Sequence, residues 1–149
     1  SQNNITLGEH IYHKQYSDIY SWNNIVQINK FSENTCIFIG SSLTDPNIRR
    51  LLDISHTQKG KKKASHYIFK KRKGISEIEK KLDALLKETE LLNDKNRANL
   101  NFSETVKLLT AIYKRFEEND SASFGVQTIW IEEYNEIPQI LKEIRENVA

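Results

Sequence analysis

Residues 35–52 of this 149-residue chain read TCIFIGSSLTDPNIRRLL, and this stretch decides the fold. The apolar run 36–39 followed by Gly-Ser-Ser is typical of a buried strand that ends in a tight glycine loop. Asp45 and Pro46 then favour a helix start, because Asp accepts a hydrogen bond from an unpaired amide and Pro fits the first helical position. Ligands of open parallel sheets bind at the carboxyl ends of strands, so we expect a ligand crevice beside this loop.

Length and composition predict one globular domain over residues 1–149. Hydrophobic residues make up 38% and charged residues 28% of the chain, which is typical of a folded protein. The single Cys36 cannot form an internal disulfide, and its place in an apolar run favours a core residue. No apolar run reaches the roughly 20 residues that cross a bilayer, and the first ten residues lack the order of a secretion signal. We therefore expect a cytoplasmic protein without a membrane partner.

The order of elements predicts an α/β fold. Strands are expected at 35–39, 65–70 and 126–132, and helices at 9–16, 21–31, 46–57 and 135–147. Between the second and third strands, apolar residues at helical spacing predict an inserted helical hairpin over 75–118. This alternation is typical of a partial Rossmann-like, three-layer unit with a mainly parallel sheet of about three strands. Sheets usually have about five or six strands, so the predicted sheet resembles half of one.

A basic segment, residues 59–73, concentrates the positive charge of the chain. It carries eight Lys and Arg residues and no acid, while the net charge of the chain is only +2. Such a segment can meet phosphates, or it can be an ordinary solvated loop. Few aromatic residues interleave with the lysines, which makes a nucleic-acid platform the weaker interpretation.

Four sequence blocks together resemble a known family. They are ITLGEHIYHKQY at 5–16, YSWNNIV at 20–26, CIFIGSSLTDPNIRRLL at 36–52 and FGVQTIW at 124–130. In their order and spacing they look like the second half of a sirtuin-like NAD-binding domain. The similarity is greatest to the branch in bacterial anti-phage defence proteins, whose domain degrades NAD. The helical hairpin lies outside the resemblance.

The resemblance implies that NAD binds at the loop after the first strand. In the family, the loop that corresponds to Gly40, Ser41 and Ser42 approaches the ribose and phosphates of NAD. Glycine lets the backbone come close, while hydroxyls and loop amides can donate to anionic oxygens. Asp45 belongs to the same motif and is a further candidate, although its capping role alone accounts for its presence.

The resemblance assigns no catalytic residue to this chain. The family's glycine-rich first loop, its catalytic Asn and Asp region, and its catalytic His followed by Gly all correspond to sequence before residue 5. His10 and His13 are not followed by Gly and are predicted to lie on a helix surface. His56 and His66 are far apart and have no further ligands nearby in the sequence, so we predict no metal site.

The helix after the loop carries two cations whose roles stay open. Arg49 or Arg50 could reach a phosphate, but adjacent helical positions point about 100° apart, so both cannot face one crevice.

Two functions remain open at this point. The resemblance implies the C-terminal, nucleotide-crevice half of a sirtuin-like NAD glycohydrolase domain, with NAD as substrate of the complete domain and no activity in the isolated chain. The alternative is a non-catalytic interaction module that binds a protein partner or nucleic acid through residues 59–73 or the hairpin. A third interpretation joins the two: the hairpin mediates assembly, either as a homo-oligomer or with the remainder of a longer protein.

Overall fold

The computed structural model describes residues 18–58, 66–88 and 101–148. In chain order the elements are α1 (Trp22–Glu33), β1 (Ile37–Phe38), α2 (Pro46–Gln58), β2 (His66–Lys71), α3 (Ile75–Glu88), α4 (Phe102–Ser123), β3 (Val126–Ile131), a 3₁₀ turn (Tyr134–Glu136) and α5 (Ile137–Val148). The predicted α/β order is confirmed. The predicted helix 9–16 and residues 59–65 of the basic segment lie outside the described residues.

The three strands form one sheet in the order β1-β2-β3. β1 runs parallel to β2, with Ile37 opposite Tyr67. The hydrogen bonds that join β2 to β3 run from the amides of His66 and Arg72 to the carbonyls of Gly125 and Ile131, respectively. From the first bond to the second, both strands advance in the same direction and by the same number of residues. This is the pattern of a parallel pair. The predicted three-strand, mainly parallel sheet is therefore confirmed.

The first strand is shorter and more exposed than predicted. Only Ile37 and Phe38 are in strand conformation, and the side chains of Ile37 and Ile39 are 42% and 53% exposed. The prediction of a buried strand over 35–39 was thus wrong at these positions. The physical reason is that β1 is an edge strand, with β2 as its one neighbour among the described residues.

The chain divides into two compact units, of which the first comprises Ser1–Lys70 and Asp120–Ile129. Its core contains the buried side chains Leu43, Leu52, Ile68 and Val126, which are covered by Phe31, Phe38, Ile48 and Phe124. Each fully buried aliphatic side chain of this kind contributes about 1.5–3 kcal/mol relative to an exposed one. The core therefore joins the loop after β1 to α2, β2 and β3.

A glycine turn links α4 to β3 in the first unit. Gly125 has φ of 72°, and its amide donates to the carbonyl of Ala122 at 2.9 Å, as is common where helices end. A Cβ at this position would lie 2.6 Å from Nδ1 of His56. Both the backbone and the neighbouring ring therefore require glycine here.

The second unit comprises Lys71–Asn119 and Trp130–Ala149. The amide of Glu104 donates to Oδ1 of Asn101 at 3.3 Å, so Asn101 caps the start of α4. Helices α3 and α4 lie where the hairpin is predicted, while most of its connection is outside the described ranges. Within the described ranges, no helix is long and apolar enough to cross a membrane.

Candidate functional site

The loop after β1 passes twice through left-handed backbone. Gly40 has φ of 69° and Leu43 has φ of 55°. Glycine adopts this conformation readily, whereas for Leu it costs roughly 1–2 kcal/mol. Leu43 is only 3% exposed and belongs to the core of the first unit. Burial of the Leu43 side chain therefore helps to hold the loop in this conformation.

The tip of the loop is open on the side of Gly40. A Cβ at Gly40 would meet no atom within 4 Å, so glycine is required there for its backbone conformation rather than for lack of space. The amide of Leu43 donates to Oγ of Ser41 at 3.3 Å, and Ser42 Oγ lies 2.7 Å from Thr44 Oγ1. A hydroxyl that accepts one bond still has its own O–H to donate. Ser41 thus has a donor to offer to an anionic oxygen.

Helix α2 starts as the sequence predicts. Oδ1 of Asp45 accepts a hydrogen bond from the amide of Asn47 at 2.8 Å, and Pro46 is the first helical residue. Loss of such a cap typically costs about 1 kcal/mol. The capping role of Asp45 is therefore confirmed, while its contact with a ligand stays a prediction.

Arg49 links the loop to the segment that precedes β3. Its guanidinium donates to the carbonyl of Leu43 at 3.3 Å and to Oδ1 of Asp120 at 2.5 Å. It also lies over the ring of Phe124, with its carbon 4.5 Å from the ring centroid. Arg49 thus binds the carbonyl of the left-handed Leu43 through Nη1 and the carboxylate of Asp120 through Nη2. The contacts make Arg49 a residue that positions the loop.

Arg50 has a different partner, since its guanidinium donates to Oδ1 of Asn47 at 3.1 Å. Asp120 and Phe124 were not among the site residues predicted from the sequence. Asp120 is 71 residues from Arg49, so no local pattern could pair them. The one available signal was that Phe124 lies in the block 124–130, which carries part of the family resemblance.

The described end of the basic segment is compensated by nearby acids. Lys71 Nζ donates to both carboxylate oxygens of Glu133 at 2.7 Å, and this bond raises the pKa of Lys71 above its ordinary value. Arg72 pairs with Glu132 at 3.3 Å. These two cations are therefore less available to phosphates than the charge count of the segment indicates.

The described histidines have structural surroundings. His66 is 4% exposed, and its Nδ1 accepts a hydrogen bond from the amide of Cys36 at 3.1 Å. Its ring packs edge-on to Phe31, with centroids 5.8 Å apart. Within residues 18–58, 66–88 and 101–148, no three His, Cys, Asp or Glu side chains are grouped to hold a metal ion.

The SIR2-like domain family matches residues 2–96, which is more than half of the chain and includes the loop after β1. The chain therefore belongs to the SIR2-like family.

Among characterised proteins, the chain is 27% identical over 111 residues to the NAD(+) hydrolase ThsA of Enterococcus faecium. That alignment covers 74% of this chain and 20% of ThsA. The chain thus spans about a fifth of the length of this relative.

Proposed function

We propose that this chain forms the nucleotide crevice of a sirtuin-like NAD glycohydrolase domain of the anti-phage defence type. The ribose and phosphates of NAD bind at Gly40, Ser41 and Ser42. The observation that carries this proposal is the exposed left-handed turn at Gly40, which has open space where a side chain would stand. Membership of the SIR2-like family and the likeness to an NAD(+) hydrolase support NAD as the ligand.

The chemistry of the loop suits the anionic part of a dinucleotide. Without a side chain at Gly40, a phosphate or ribose can approach the backbone closely. The Ser41 hydroxyl, which accepts from the amide of Leu43, keeps its own O–H to donate to an anionic oxygen. Oδ1 of Asp45 caps α2 and so fixes the helix start beside the loop, while a direct contact of Asp45 with NAD stays a prediction.

The reaction proposed for the complete domain is cleavage of the bond between nicotinamide and ribose, with water as the attacking group. The residues of this chain bind and orient the nucleotide, while the groups that act on the bond and on water come from the part of the family's domain that precedes this sequence. Among the described residues β1 is an edge strand with β2 as its neighbour, which supports an arrangement in which further strands complete the sheet. On this proposal the 149-residue chain alone binds NAD without hydrolysing it.

Isothermal titration of the chain with NAD tests the binding step. Gly40→Asn is the informative variant, because Asn tolerates left-handed backbone better than other residues with a side chain. It places that side chain in the open space of the crevice. We expect NAD affinity to fall by about tenfold or more, which corresponds to roughly 1.4 kcal/mol. Gly74→Asn is the matched control, because a Cβ at Gly74 makes only an ordinary contact, 3.8 Å from Ser76 Oγ.

Equal NAD affinities of the unmodified chain and Gly40→Asn would refute the role of the loop. Hydrolysis is followed separately, by chromatography of nicotinamide released during incubation with NAD. Steady release by the 149-residue chain, abolished by heat denaturation, would show that the catalytic groups lie within this sequence.

A further inference from the structure

An apolar groove of about 360 Å³ lies within the second unit, between α3 and α4. Ile78 of α3 and Leu109, Ile112 and Phe116 of α4 form its apolar lining. The three side chains from α4 are 36%, 53% and 70% exposed, and their spacing of three and four residues places them on one helical stripe. Large apolar side chains that are clustered and exposed in this way mark interaction sites.

The charged lining of the groove has a single sign. Among the described residues that line it, Lys73 and Lys81 are the charged ones. Lys73 Nζ lies 3.7 Å from the ring centroid of Tyr113, and Lys81 donates to Glu77 at 2.9 Å. Each ammonium has three donors, and the side chain of Lys81 is 65% exposed, so it can meet a further carboxylate. The charge pattern therefore complements an apolar surface that is bordered by acids.

The shape of the groove favours a helix over a small molecule. Its lining follows α4 from Leu109 to Phe116, which is about two helical turns or roughly 10 Å. A partner helix presents anchors at the matching positions i, i+3 or i+4, and i+7. A small-molecule site usually has several convergent polar groups that orient the ligand, whereas four of the seven lining side chains here are aliphatic or phenyl groups.

We propose that this groove binds an amphipathic helix of a partner polypeptide, whose apolar stripe packs on Ile112 and Phe116 and whose flanking Asp or Glu residues meet Lys73 and Lys81. This inference is independent of NAD binding, since every residue that carries it lies in the second unit. Neither the family match nor the likeness to a hydrolase describes such a surface.

A pair of designed peptides tests the proposal by fluorescence anisotropy with the full 149-residue chain. Both are about five helical turns long and carry Leu at i, i+3, i+4 and i+7; one has Glu and the other Lys beside the stripe. We expect the Glu peptide to bind in the micromolar range and the Lys peptide about tenfold more weakly. The double variant Lys73→Glu/Lys81→Glu should reverse this preference.

Variants on α4 distinguish binding in the groove from non-specific binding to exposed apolar side chains. Phe116→Asp should weaken the Glu peptide by about tenfold or more. Leu108→Asp is the matched control, because Leu108 is 61% exposed on the same helix but does not line the groove. Circular dichroism establishes that each variant is folded.

Four results would overturn the proposal. The first three are binding of neither peptide, equal binding of both peptides, and a preference that persists after charge reversal. A fourth is a dimer in light scattering that Phe116→Asp dissociates, since the occupant would then be a second copy of the chain.

Discussion

Replacement of Arg49 by Met should destabilise the first unit and distort the loop after β1. The change keeps much of the side-chain volume but removes the hydrogen bond to the Leu43 carbonyl at 3.3 Å and the ion pair with Asp120 at 2.5 Å. It also removes the cation from the ring of Phe124. The left-handed Leu43 peptide then loses the donor that binds its carbonyl.

The magnitude follows from these contacts. A hydrogen bond from a charged donor contributes about 1.5–3 kcal/mol. A partly exposed ion pair contributes about 0–1 kcal/mol and a cation over an aromatic ring about 0.5–1 kcal/mol. Because the contacts share one guanidinium they are not additive, and we expect a loss of roughly 2–3 kcal/mol in the free energy of unfolding. For a chain of this size that lowers the melting temperature by about 4–12 °C.

Urea unfolding followed by circular dichroism measures the effect, with Arg50→Met as the matched control. Arg50 stands at the next position, about 100° around the helix, and donates to Asn47, so its replacement should leave the bond between Arg49 and the Leu43 carbonyl in place. Asp120→Asn should reproduce part of the Arg49→Met loss. The loss of stability in the double variant should be smaller than the sum of the losses in the two single variants, because the two side chains contact each other.

The reasoning fails if Arg49→Met leaves unfolding unchanged and lowers NAD affinity alone. That result would make Arg49 a ligand of the nucleotide phosphates instead of a residue that positions the loop.

Gly125→Ala should lower the free energy of unfolding by roughly 2–4 kcal/mol, because it combines left-handed strain with a clash 2.6 Å from His56 Nδ1. Gly74→Ala, which makes no such contact, is its control in urea unfolding, and equal effects would contradict the account. The pKa of the Glu77 carboxyl is held below its ordinary value mainly by the hydrogen bond from Lys81. Lys81→Met should raise this pKa in an NMR titration, and an unchanged value would refute the pairing. Because folding lowers the pKa of this carboxyl, its ionised form stabilises the folded chain at pH values above the unfolded pKa. This stabilisation is lost as the pH falls through the folded pKa.

Elements whose causes are local could be predicted from the sequence. The start of α2 follows from Asp45 and Pro46 alone, and the structure has both in the predicted roles. The parallel sheet followed from the alternation of strands and helices. The exposure of Ile37 could not be predicted, because an apolar run reads the same in a central and in an edge strand. Only the sheet order distinguishes the two positions.

In the candidate site, too, one part could be predicted from the sequence and another could not. The Gly-Ser-Ser string identified the loop, and the glycine at its tip does have left-handed backbone. The left-handed backbone of Leu43 could not be predicted from the sequence, since Leu rarely adopts this conformation. Its stabilisation depends on tertiary contacts, namely burial in the core and a bond from Arg49.

The basic segment shows why charge counts alone mislead. Its eight cations are compatible with a phosphate-binding surface or with a solvated loop, and in the structure Lys71 and Arg72 meet Glu133 and Glu132. These acids follow β3, some 60 residues further along the chain, and parallel pairing of β2 with β3 brings the two strand ends together. The same topology that builds the sheet therefore compensates part of its charge.

The residues that shape the candidate loop extend beyond the segment that carries the family match. That match ends at residue 96, whereas Asp120 and Phe124 hold the guanidinium that binds the Leu43 carbonyl. The loop motif is thus a local sequence feature whose geometry depends on the later part of the chain. Because β3 follows these residues directly and pairs with β2, the sheet fixes their position relative to α2. Asp120 lies in the last turn of α4, so the end of this helix is itself part of what holds Arg49 against the loop.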